Sequence, residues 1–72
     1  MKPKYKLNDP VKFTLDGKQY LGNVYIIDAN GTFERPEVPS YDILVKEHLY
    51  VSKTNPEGYI LYKHIPETLI DE

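Results

Sequence analysis

Polar and apolar positions alternate in short runs along this chain, and turn-forming dipeptides separate the runs. Val11, Phe13 and Leu15 alternate with Lys12 and Thr14, the period of two expected of a strand with one wet face. Asp16-Gly17 then leads into a longer run that Asn30-Gly31 closes, and both dipeptides mark tight turns with positive φ. Inside this run Tyr20, Val24 and Ile26 are expected on one face and Leu21, Tyr25 and Ile27 on the other. Gly22 stands mid-strand, where a strand bends or another segment comes close. The pattern predicts one long bent strand between the two turns, paired as a hairpin with the strand at Val11–Leu15.

The remaining runs are shorter. Residues 1–8 read as an N-terminal arm in which Pro3 blocks an early helix, with Tyr5 and Leu7 available to lie on the body. Residues 29–40 read as a long loop, because Pro36 and Pro39 disfavour a regular central strand, with room for a short strand at Thr32–Glu34. Loops of this length in small domains often carry function, but a plain solvent-exposed connector is the preferred reading. Tyr41–Lys46 reads as a strand with Tyr41, Ile43 and Val45 on one face; Leu44 interrupts the polar face, so both sides are expected to be partly covered. Glu47-His48 suggests a bend, Leu49–Ser52 a short strand, and residues 53–58 a turn begun by Asn55-Pro56 and ended by Gly58. In the next strand, Tyr59–Lys63, Tyr59, Leu61 and Lys63 face opposite to Ile60 and Tyr62. Pro66 and Glu67 suit the opening of a single helical turn, and Thr68–Ile70 leaves space for a last short strand. No segment has helical periodicity over the ten or so residues a helix needs.

The predicted class is therefore all-β: five to six short antiparallel strands, a long bent second strand, and a single 3-10 turn before the last strand. That plan resembles a small SH3-like barrel, which hides most strand edges. The chain also resembles the YorP family of small Bacillus phage and prophage proteins, through VKFTLDGKQYLGNVYIID at 11–28 and YKHIPETLI at 62–70. The resemblance spans nearly the whole chain and implies an SH3-like fold and a phage or prophage origin. The family carries no known activity and no assigned site, so it implies no functional residue.

Composition narrows the chemistry. A chain of 72 residues is expected to form one domain, 1–72, and one this small buries only about 60% of its unfolded surface. With no cysteine, disulfides and thiolate metal sites are excluded. The net charge of −2 argues mildly against steering to polyanions. No apolar run is long enough for a membrane span, and the basic start MKPKYKLNDP has no apolar stretch after it, so neither a signal peptide nor a membrane partner is expected and the setting is read as cytoplasmic. His64 and Glu67, three apart, with His48 elsewhere, fall short of a zinc ligand set, and a histidine hydrogen-bonded at a turn is the preferred reading; no metal and no cofactor are expected. Ser40 and Ser52 lie in no nucleophile elbow, and Asp16, Asp28 and Asp42 do not follow calcium-loop spacing, so no enzyme is expected.

The unusual feature is seven tyrosines and two phenylalanines without tryptophan. Tyr25, Phe33, Tyr41, Tyr50 and Tyr62 are the candidates for an exposed aromatic surface beside the long loop, able to stack on a peptide, a cation or a base; the same rings could instead fill the core. The leading expectation is a non-catalytic module that binds a host or phage protein near Phe33 and Tyr41, with the monomer favoured. Lys4, Lys6, Lys12 and Lys18 would support weak single-stranded nucleic-acid binding if they share a face, or serve as edge gatekeepers if they do not. A structural subunit that associates with itself is a further alternative.

Overall fold

The computed structural model describes residues 2–31 and 36–71. Its strands are β1 (Pro10–Leu15), β2 (Lys18–Asp28), β3 (Ser40–Lys46), β4 (Tyr59–Pro66) and β5 (Ile70–Asp71). They form one antiparallel sheet in the order β4-β3-β2-β1-β5. The described residues contain no α-helix, only 3-10 turns at His48–Tyr50 and Glu67–Leu69. The all-β class is as the periodicity predicted.

The predicted hairpin is present. Leu15 pairs with Lys18, and the two residues between them, Asp16 at φ 51° and Gly17 at φ 81°, have the two positive φ angles of a type I′ turn. That turn twists in the same sense as the strands it joins, which fixes the register as far as Pro10 opposite Asn23.

Chain length then forces the sheet to roll. β4 and β5 lie at opposite edges, yet only Glu67–Leu69 connects them. A flat five-stranded sheet would hold its edges about 19 Å apart. Four residue steps reach at most about 14 Å, and a 3-10 turn reaches less. The sheet therefore curls, but it does not close into a barrel, since β4 and β5 do not pair among the described residues.

Gly22 lets β2 and β3 come unusually close at the middle of the sheet. It lies opposite Val11 on one side and Val45 on the other. A Cβ there would stand 2.7 Å from both the Ile43 Cγ2 and the Leu44 carbonyl oxygen, closer than real side chains come. Inside the curl Val11, Phe13, Val24, Tyr41, Ile43, Val45, Ile65 and Ile70 are buried. One end is closed by rings: Phe13 stacks on Tyr20 at 5.3 Å and meets Tyr62 at 5.5 Å, and Tyr20 and Tyr62 lie 4.8 Å apart.

Several elements differ from the sequence reading. The register of β2 on β3 shifts between Val24 and Ile26. One extra residue reverses the alternation beyond it, so Ile26 is 46% exposed and Ile27 packs on the core, the opposite of the expected faces. β4 carries a second irregularity, where Tyr41 pairs with Ile65 but Ile43 with Tyr62. His64 takes up the extra residue at φ 59°, and its N–H donates to Asp42 Oδ1 at 3.1 Å. Leu49–Ser52 is not a strand. The Tyr50 and Val51 N–H groups donate back to the Glu47 and His48 carbonyls, and Leu49 has no face to bury and is 81% exposed. The last strand is Ile70–Asp71 rather than Thr68–Ile70, because the 3-10 turn occupies Glu67–Leu69. The short strand expected at 32–34 lies outside the described residues.

Candidate binding surface

The structure divides the predicted aromatic set. Tyr41 is a core residue, 1% exposed, because the alternation of β3 sends 41, 43 and 45 to the same inner face. Its hydroxyl donates to Glu67 Oε2 at 2.6 Å, the Lys4 N–H donates to the same oxygen at 3.1 Å, and the Tyr5 ring meets it edge-on at 5.6 Å. Tyr62 is half-buried in the ring cluster that closes the core. Tyr25 is exposed on β2, and Tyr50 is exposed on the 3-10 turn after the far end of β3. Phe33 lies outside the described residues. The four described rings do not make one surface, and Tyr41 in particular is not available to a partner.

Burial, then the Glu67 hydrogen bond, push the Tyr41 phenol from 10.0 up to about 12. Above pH 10 the unfolded chain releases this proton while the folded protein keeps it, so stability falls as pH rises from about 10 to about 12. Burial and a hydrogen bond with Tyr20 raise the Tyr62 phenol in the same direction. Urea unfolding of wild type and Tyr41→Phe across this pH range checks the effect. The wild type should lose more stability than the variant, and parallel curves would refute the assignment.

The lysines do not share a face. Lys12 points outward from β1, opposite Leu21. Lys18 lies in the inner row beyond Leu15, with its Nζ 4.9 Å from the Tyr20 ring centre and 3.9 Å from Glu47 Oε1. Lys4 and Lys6 are exposed on the N-terminal arm. Among the described residues no group of three His, Asp or Glu side chains is placed to hold a metal. His64 serves the β4 irregularity, and Glu67 ties the N-terminal arm to Tyr41.

A different surface emerges on the outer face of the sheet. The pairings Asp71–Lys12, Lys12–Leu21 and Lys46–Tyr59, with Leu21 one residue before the Gly22–Val45 pair, set a row across all the strands: Asp71, Lys12, Leu21, Lys46, Tyr59. Asn23, Leu44 and Leu61 form the next row. A groove of about 540 Å³ lies beside these rows, lined by Tyr5, Lys12, Leu21, Leu44, Lys46 and Tyr59 among others. Leu21 is 65% exposed although it sits on a regular strand.

The groove is fixed at its ends. The Asn55 side chain takes the place of a neighbouring strand at the start of β4: its Nδ2 donates to the Tyr59 carbonyl at 2.7 Å, and the Tyr59 N–H donates to its Oδ1 at 3.1 Å. Lys46 Nζ lies 5.9 Å from the Tyr59 ring centre and pairs with Glu57 Oε2 at 2.8 Å, which raises the Lys46 ammonium pKa and lowers that of the Glu57 carboxyl. Asp71 accepts hydrogen bonds from Gln19 Nε2 at 3.0 Å and Thr14 Oγ1 at 2.9 Å, and these hold its carboxyl below the usual range.

Sequence reasoning missed this groove because its residues come from separate strands and meet only through register. The available signal was Leu44, an apolar residue on the otherwise polar face of its strand.

No family model, curated protein or solved structure matches the chain. None of its described helices is long and apolar enough to cross a membrane. The fold and groove define a small all-β sheet protein with a partly apolar groove on the outer face.

Proposed function

We propose that this protein is a non-catalytic binding module on an SH3-like barrel plan, and that it engages a protein partner through the outer-face groove. The observation that carries this reading is Leu21. It stands exposed on a regular strand and lines the groove together with Leu44. Contiguous apolar surface lining a groove is characteristic of an interaction site, whereas scattered exposed leucines need no explanation. The groove's volume falls in the range of sites that take a side chain or small ligand. The burial of Tyr41 moves the contact surface away from the loop region that the tyrosine excess first suggested. The resemblance of residues 11–28 and 62–70 to the YorP family adds a phage or prophage setting to the proposal. Nucleic-acid binding has less support, since Lys12 and Lys18 face opposite ways.

The test is a peptide-library selection on the folded protein with Leu21→Asp as the paired control. Leu21 is mostly exposed, so the variant should fold with wild-type circular dichroism. Selected peptides should bind wild type and lose at least about tenfold in affinity on the variant, the loss of a central apolar contact. Peptides that bind both proteins equally would place the site elsewhere.

A further inference from the structure

The row through the groove alternates in character, and this specifies the chemistry of its occupant; the inference rests on the groove being the binding surface. Lys12 and Lys46 flank Leu21 on the neighbouring strands. Two strand spacings separate them, about 10 Å. Asp71 lies outside Lys12 in the row and attracts it across the strand pair, while its carboxylate accepts hydrogen bonds from Gln19 and Thr14, so the Lys12 ammonium can turn from it towards a carboxylate over Leu21. The Lys46–Glu57 pair is exposed on both sides, so little free energy opposes its exchange for another carboxylate. The groove thus presents cation, hydrocarbon, cation in a line.

We propose that it binds an extended acidic peptide segment with carboxylates three residues apart and an apolar side chain between them. An extended left-handed chain rises about 3.1 Å per residue with three residues per turn, so positions i and i+3 fall on the same side about 9 Å apart. That spacing matches Lys12 to Lys46, and the residue at i+2, turned about 120° from the carboxylate edge, lies towards Leu44 in the next row. The Tyr59 ring offers a flat wall for a proline or aliphatic side chain.

Two probes test the idea by amide NMR titration at low and moderate salt: acetyl-Glu-Pro-Leu-Glu-amide and acetyl-Lys-Pro-Leu-Lys-amide. The acidic peptide should shift the Leu21, Leu44 and Tyr59 amides and bind at least about fivefold more tightly than the basic one. Added salt should narrow the gap. Lys12→Gln with Lys46→Gln should level the two peptides, and Lys12→Glu with Lys46→Glu should invert their order. Equal binding of both peptides in the groove of the wild type would overturn the charge inference and leave the groove as a binding surface. Concentration-dependent shifts of the same amides without peptide would assign the groove to a second copy and overturn the proposal. Failure of both peptides to move these amides would overturn it too, and the library-selected peptides would then show whether the groove binds at all.

Discussion

Gly22→Val leaves the chain largely unfolded at room temperature. The first added carbon alone would lie 2.7 Å from a buried Ile43 methyl and from the Leu44 carbonyl oxygen. A side chain can rotate away, but the carbonyl belongs to the backbone of β3, so relief requires β2 and β3 to separate at the centre of the sheet. Overpacking of this kind costs about 1–3 kcal/mol where side chains alone adjust, and more where backbone must move. A cysteine-free domain of this size has about 5 kcal/mol or less to lose. Gly22→Ala should shift the urea midpoint in the same direction by a smaller amount. A Gly22→Val protein with wild-type circular dichroism and an unchanged midpoint would mean that β3 does not come so close to Gly22.

Phe13→Ala should cost about 3–5 kcal/mol, comparable with the whole stability of the domain. Phe13 is fully buried and touches the rings of both Tyr20 and Tyr62, which close one end of the core. It is also one of the two β1 residues that pair with β5, through Ile70. Removing the ring therefore opens a cavity and loosens the short last strand together. Equilibrium unfolding measures the first effect, and hydrogen exchange at the Ile70 amide measures the second. Phe13→Leu should recover most of the stability. A Phe13→Ala protein within about 1 kcal/mol of wild type would show that the rings do not carry the core.

What could be read from the sequence follows from how local each determinant is. The β1–β2 hairpin was legible because Asp16-Gly17 specifies its turn and Val11, Phe13 and Leu15 specify its face. The turn at Glu67 was legible from Pro66 and Glu67, though its last residues were misread as strand. The shift between Val24 and Ile26 was not legible, since Val-Tyr-Ile-Ile satisfies either phase and only pairing with β3 chooses. Leu49–Ser52 looked like a strand by composition, but no neighbour offers it a face, and local hydrogen bonds prevail. Tyrosine identity said nothing about exposure. Tyr41 is buried because its strand phase buries it, and its hydroxyl is satisfied by Glu67, a partner 26 positions away. The groove was hidden for the same reason, since it exists only once Leu21, Leu44 and Tyr59 are brought into register.

One measurement bears most directly on the proposal that the outer-face groove makes the contact. Hydrogen exchange and amide shifts should be recorded for the protein saturated with a library-selected peptide and compared with the free protein. The account predicts changes centred on Leu21, Leu44, Lys46 and Tyr59, with Tyr20, Tyr41 and Tyr62 unaffected. Changes confined to Tyr50, Tyr62 and the ring cluster, with the outer rows silent, would contradict it.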